Sequence, residues 1–351
     1  MKVTIYPHSI SKGDIRVNPY ISDFIQTLEQ NGMIIANPPH KNPLFSLIPQ
    51  KTDSDAYIFH WLENVPDYKY GVLQTLAAIW LLFKIKLHNK KVIWFLHNKQ
   101  PHIMKHRWSK KLLIRLFLRK ADLIVTHATE GIKVVQDQYP KAVPRTIFLH
   151  HPTKNRIEEY MPQPAETDLL IWGNISRYKG VPEFVRFATR HSLKLKTKII
   201  GKCSSTELLE ELRTEGNDRI SIEDRSIPFD ELKQEIRKSR FVLIPYAAES
   251  ILSSGILMDS LSFGAQVIGP DVGSFRDYAA DPLLNVYNRW TENNKDTDIP
   301  AMRSATSADS NRENLWRYAD SHVLSASFIK CRNIGVSYSF PKNLLQKIIQ
   351  L

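Results

Sequence analysis

Ser253-Ser254-Gly255 stands directly before a helical run, Ile256 to Phe263, which stops at Gly264 and leads into a short apolar stretch ending at Ile268. Two hydroxyls and a glycine at a helix start leave the first backbone N–H groups open, and the helix dipole adds partial positive charge there. That combination suits a phosphate or a diphosphate. A second element, Gly173-Asn174-Ile175-Ser176-Arg177-Tyr178-Lys179-Gly180, follows an apolar run of its own. Arg177 and Lys179 would meet the same anion as point charges while the helix start meets it with backbone donors. His97 follows the run Val92–Leu96. An imidazole there can hydrogen-bond a bound ligand or take a proton near neutral pH. Asn18 is a candidate contact for a substrate hydroxyl or phosphate in the loop after the first apolar run. Asp14 of the same loop is, with His97, a candidate base.

The elements that must hold these groups alternate in type. Val3–Tyr6, Met33–Ala36, Ala56–Phe59, Val92–Leu96 and Leu123–Thr126 have the apolar, β-branched or aromatic character of strands, and segments of helical spacing separate them. The stretch Pro152 to Glu166 carries Pro152, Pro162 and Pro164 with little apolar period and reads as a linker. The alternation then restarts through Leu169–Trp172, Lys198–Ile200, Ile220–Ile222, Phe241–Pro245 and Gln266–Ile268. The expectation is an α/β protein with two Rossmann-like domains facing a cleft, 1–160 and 161–351, whose last helix returns to the first domain. A cleft between two such domains suits a two-substrate reaction.

With 351 residues and 42% hydrophobic composition, the chain has enough apolar material for two cores. Cys203 and Cys331 show no metal-ligand spacing and no disulfide framework, so a reducing cytoplasm is the expectation. Met1 to Tyr6 reads as a first strand and not as a signal peptide. The longest apolar run, Val72 to Phe83, falls short of the about 20 residues that cross a bilayer, and is expected to be a buried or interfacial helix. The net charge of +12 lies almost wholly in the first half, above all between Lys105 and Lys120, where seven cations and no acid interleave with Trp108, Leu112, Leu113, Leu116 and Phe117. That pattern points to an anionic membrane surface; nucleic acid would use the same charge, but no nucleic-acid motif accompanies it.

The second half resembles the nucleotide-sugar domain of GT-B glycosyltransferases, in particular family 4 and its relatives in bacterial polysaccharide and glycolipid assembly. The resemblance covers about residues 169–277. It rests on Gly173-Asn174-Ile175 with Lys179-Gly180, on Ile199-Ile200-Gly201, on Leu243-Ile244-Pro245-Tyr246 and on Gly264-Ala265-Gln266-Val267-Ile268, in that order. Asn18-Pro19-Tyr20, His60-Trp61 and His97-Asn98 with Pro101-His102 resemble segments of related sugar transferases more loosely. The family's signature has two glutamates eight positions apart, the first on the sugar and the second on the ribose. Aligned on Phe263-Gly264, the second falls at Asp259 and the first at Ile251, with Glu249 the nearest carboxylate able to replace it.

The resemblance implies a hexosyltransferase. It would take a nucleoside diphosphate sugar as donor and a glycan or lipid-linked acceptor, retain configuration, and need neither metal nor dissociable cofactor. The basic first half would place it on the inner face of the cytoplasmic membrane. Two rival readings accompany this one: a sugar-nucleotide epimerase or glycan phosphorylase of the same fold, and a non-enzymatic basic membrane-binding module.

Overall fold

The computed structural model describes residues 1–8, 19–41, 54–99, 106–153, 156–157, 164–246, 251–279 and 284–287. Asp14, Asn18 and Glu249 lie outside the described residues, as do Lys105 and the C-terminal segment expected to return to the first domain.

Six parallel strands form the first sheet: β1 (Lys2–Tyr6), β2 (Ile34–Ile35), β3 (Ala56–His60), β4 (Lys91–Leu96), β5 (Leu123–Thr126) and β6 (Thr146–Phe148), in the order β2-β1-β3-β4-β5-β6. β3 and β5 are buried along their whole length, because helices cover both faces. Helix α1 (Pro19–Gln30) lays Phe24 and Leu28 on one face against Ile5, Ile58 and Phe95. Helices α2 (Gly71–Leu87), α3 (Arg107–Lys120) and α4 (Glu130–Gln138) cover the other, where Leu82, Phe117 and Val135 share a core with Tyr57, Phe59 and Trp94. The alternation of side chains along each strand thus supplies two separate cores.

The second sheet is built from β7 (Thr167–Trp172), β8 (Thr197–Ile200), β9 (Ile220–Glu223), β10 (Ser239–Leu243), β11 (Val267–Pro270) and β12 (Leu284–Tyr287). Its order is β12-β11-β10-β7-β8-β9, all parallel. The chain winds outward from β7 to β9, then returns to the other side of β7 with β10. The crevice between β7 and β10 is therefore a topological switch point, where open α/β sheets bind ligands. Helices α5 (Val181–Arg190) and α6 (Thr206–Glu215) cover one face. Helices α7 (Phe229–Arg237), α8 (Gly255–Ser262) and α9 (Gly273–Asp277) cover the other.

The basic segment of the first half needs correcting. Lys110 does not face solvent: it is fully buried in α3 and paired with Asp67, at the end of the two-turn 3₁₀ helix Leu62–Asp67. Leu113 and Phe117 are core residues, whereas Trp108 stands 85% exposed. The cations that remain outside are Arg107, Lys111, Arg115, Arg119 and Lys120. Among the described residues no helix is long and apolar enough to cross a membrane.

Candidate active site

The loop after β7 turns at Gly173, whose φ of +93° suits glycine and where a Cβ would lie 2.7 Å from the Ile256 side chain. The turn brings the loop over the start of α8. Lys179 ends the following one-turn helix (Arg177–Lys179) and lines the crevice with Gly173, Asn174, Pro245, Tyr246 and Ile256. Its Nζ sits 5.8 Å from the centre of the Tyr246 ring. Burial pulls the ammonium down to about 8, because no carboxylate compensates its lost hydration. The buried Tyr246 phenol lies beside the Ser254 side chain, and burial pushes its pKa up. Ser254 is the N-cap of α8: its Oγ accepts the Leu257 N–H at 3.1 Å. Beside it the α-carbon of Gly255 faces open space, with nothing within 4 Å of a Cβ placed there. A half-buried cation, a phenol and, through Ile256, the first turn of α8 therefore meet at the switch point, as an anion site requires.

Not every expected partner joins them. Arg177 is exposed, and its guanidinium reaches Glu211 of α6 at 2.5 Å; it forms no part of the crevice lining. The cause is electrostatic, since Glu211 accepts from both Arg177 and Arg186 and anchors the side chain on the outer face. Asp259 also turns elsewhere. Its carboxylate lies 3.7 Å from Arg156 of the linker, and Arg156 in turn reaches Ser262 at 3.0 Å and Asp23 of α1 at 3.4 Å. Burial pushes the Asp259 carboxyl up to about 7, with Arg156 opposing that rise and Asp23 adding to it. Arg156 of the linker thus bridges Asp259 and Ser262 of the second domain to Asp23 of the first. Ser253 is half-buried just before the cap, and Ile251, where the family pattern has its first glutamate, is buried and pairs its backbone with Asn98.

That pairing joins the two halves of the site. Asn98 follows His97 in the loop after β4, and Ile251 lies two residues before Ser253. Leu252 belongs to the first domain's core. Gly273, at a φ of +51°, packs so closely on the Leu252 carbonyl that a Cβ would come to 2.2 Å of it. Its N–H donates to Glu130 at 2.9 Å, Glu130 pairs with Lys99 at 2.6 Å, and the Thr129 N–H donates to Asp277 at 2.8 Å.

On the first domain's side His97 is not alone. His60 ends β3, His97 follows β4, His127 follows β5 and His151 lies beyond β6, so neighbouring strands of a parallel sheet each deliver an imidazole to the same edge. Tyr20 of α1 stands among them, with ring centres 4.9 to 5.7 Å from all four. His127 Nδ1 must donate to the Leu149 carbonyl at 2.9 Å, which leaves Nε2 to accept from the Tyr20 hydroxyl at 2.9 Å. His60 Nδ1 and His97 Nε2 face each other at 3.0 Å, one ring donating to the other. His60 Nε2 has no hydrogen-bond partner among the described residues. Burial holds all four rings neutral, pulling His127 to about 3 and His151 to about 4, and at His60, His97 and His127 the neighbouring imidazoles repel a proton further. Of this cluster only His97 was singled out from sequence as a site residue; the signal for the others was a histidine after successive apolar runs. Among the described residues no group of His, Cys, Asp or Glu could hold a metal ion.

No protein-family model matches the chain, and no curated protein matches it in sequence. Solved structures do match. The chain superposes on Alr3699/HepE of Anabaena in complex with UDP-glucose with a TM-score of 0.53 at 11% identity, over 79% of this chain and 82% of that one. It also superposes on AviGT4, a glycosyltransferase involved in avilamycin A biosynthesis, with a TM-score of 0.52 at 12% identity, over 83% and 85% of the two chains. At such identities the likeness establishes the fold. The protein has the two-domain GT-B architecture, two parallel α/β sheets with a cleft between them.

Proposed function

We propose that the protein is a hexosyltransferase that moves a sugar from a UDP-sugar to a glycan or lipid-linked acceptor. The observation that carries this reading is the convergence of Lys179, Tyr246, Ser254 and the open start of α8 at the switch point of the second sheet. Uridine is the favoured base because Alr3699/HepE binds UDP-glucose on the same architecture. The diphosphate lies against the α8 N–H groups, and Lys179 stabilises the charge that develops on it as the glycosidic bond breaks. Charge on that leaving group is met by fixed donors and one ammonium, so the proposed reaction needs no metal.

The sugar projects from the diphosphate towards His97. A neutral imidazole with so low a pKa is a poor base, so His97 hydrogen-bonds the sugar or acceptor and does not take the acceptor's proton. This favours retention, in which the leaving phosphate oxygen accepts that proton. The acceptor is proposed to belong to cell-surface polysaccharide assembly, on the strength of the family resemblance. The basic first half is proposed to meet the cytoplasmic leaflet on which such acceptors are presented.

Calorimetric titration with UDP and a panel of UDP-sugars tests the reading. Binding of UDP and at least one UDP-sugar is expected, together with its loss in Lys179→Ala. No heat from any of them would overturn the donor assignment. Substituting His97→Ala should lower turnover while leaving UDP affinity unchanged; weakened UDP binding would show that the two halves of the site are wrongly paired.

A further inference from the structure

Helix α2 is apolar on every side, yet only one side is covered. Gly71, Thr75, Ala78, Leu82 and Ile85 are buried against the domain, Gly71 on Pro66. On the opposite face Leu73, Leu76, Trp80, Phe83 and Leu87 are between 50% and 80% exposed, at helical spacing. Trp108 and Leu112 extend the patch onto neighbouring α3. No charged residue stands between Gly71 and Phe83. A helix apolar all round requires burial on both faces, and an exposed apolar strip of this length marks an interaction surface.

The rim of the strip says what covers it. Lys84 stands 5.1 Å over the Trp80 ring, Lys120 5.8 Å over Phe83, and Lys69 5.2 Å over Tyr70. Arg107, Lys111, Arg115 and Arg119 lie exposed on α3 beside them. The acids of this face are occupied or buried: Asp67 with Lys110, Asp122 with Lys86, and Glu63 beneath the surface. A second copy would press cations on cations. A nucleic acid would use the cations and leave the strip in water. An anionic bilayer satisfies both, with rings and aliphatic groups among the acyl chains and ammonium groups among the headgroup phosphates.

We propose that α2 lies in the plane of an anionic membrane with its Leu73–Leu87 face inserted and the α3 cations on the headgroups. Helix α2 cannot leave the protein to span the bilayer, because its other face forms the first domain's core. This deepens the membrane part of the proposed function: it moves the contact from the Lys105–Lys120 segment to an apolar ridge and assigns the cations to its rim.

Flotation of the full chain with phosphatidylcholine vesicles and with phosphatidylcholine–phosphatidylglycerol vesicles, at low and high salt, tests it. Binding to the anionic vesicles that partly survives high salt is expected. Trp80→Glu with Phe83→Glu should lower that binding at least about tenfold at both salt concentrations, and Lys111→Glu with Arg115→Glu only at low salt. Brominated lipid should quench the wild-type tryptophan emission and quench a Trp80→Phe, Trp108→Phe variant less, a readout that holds even if the glutamate variants fold poorly. Three results would overturn the proposal: no flotation, binding abolished by salt and indifferent to the strip, or a wild-type dimer that the strip variant dissolves. UDP titration of the same preparations separates the two claims. Vesicle binding without UDP binding upholds insertion and sinks the transferase, and the converse sinks insertion alone.

Discussion

Replacing Lys179 with methionine should stabilise the protein and disable it. The ammonium falls from 10.5 in a solvated chain to about 8 in the crevice, with burial as the cause. At about 1.4 kcal/mol per pH unit, holding that charge in place costs on the order of 3 kcal/mol, a ceiling because the half-buried group keeps part of its hydration. Methionine fills a similar volume without charge and forfeits only the contact with the Tyr246 ring, worth about 0.5–1 kcal/mol. A net gain of about 2 kcal/mol at pH 7 is expected from urea unfolding. The sign of the pH dependence follows from the lowered pKa. Below about 8 the lysine is protonated in both states and the cost is complete. Between about 8 and 10.5 the unfolded chain binds the proton and the folded one does not, so wild-type stability rises with pH and the advantage of methionine fades. Donor binding moves in the opposite sense. Methionine should weaken UDP binding about 10- to 100-fold at pH 7 by removing a charge-assisted hydrogen bond. In the wild type only the protonated share binds well, so the apparent Kd should rise about tenfold from pH 7 to pH 9, while Lys179→Arg should show no such rise. Equal or lower stability of the methionine variant at pH 7, together with unchanged UDP affinity, would refute the placement of this lysine beside the diphosphate.

Lys110→Ala should cost about 3–5 kcal/mol, since it strands Asp67 beside a fully buried site, whereas Lys111→Ala one residue on should stay within about 0.5 kcal/mol; thermal unfolding of the pair decides it. Ser254→Ala should lose about 1 kcal/mol of stability with the α8 cap and also weaken UDP binding, and Ser254→Gly less of the former. Arg156→Met should raise the Asp259 pKa further and lower stability at pH 8 more than at pH 5. The folded carboxyl, already near 7, is neutral at the lower pH and needs no cation there; an equal loss at both would contradict the pairing.

The strand segments were legible because parallel strands covered on both faces must be continuous apolar runs, as at Val92–Leu96. The cap at Ser254 was legible because a helix start recruits its own neighbour, Leu257, three residues on. Lys179 was legible as a cation at a strand's end, though its lowered pKa was not, since that depends on the ring and walls around it. The short strand β6 and the helix after β5 were not identified, the first being three residues long.

What the sequence determined alone is local: which segments bury an apolar face, where helices begin and stop, and which residue types stand at strand ends. These follow from periodicities and caps that act over a few residues. The tertiary structure decided the partners. Arg177 met Glu211, 34 residues away, and was drawn out of the site. Asp259 met Arg156, and Lys110 met Asp67 under the surface. Four histidines and Tyr20, spread from α1 to the residues beyond β6, became one neutral cluster because adjacent parallel strands end at the same edge. Charge and hydrogen-bond energies depend on distance in space and on local exclusion of water, and neither can be read along the chain.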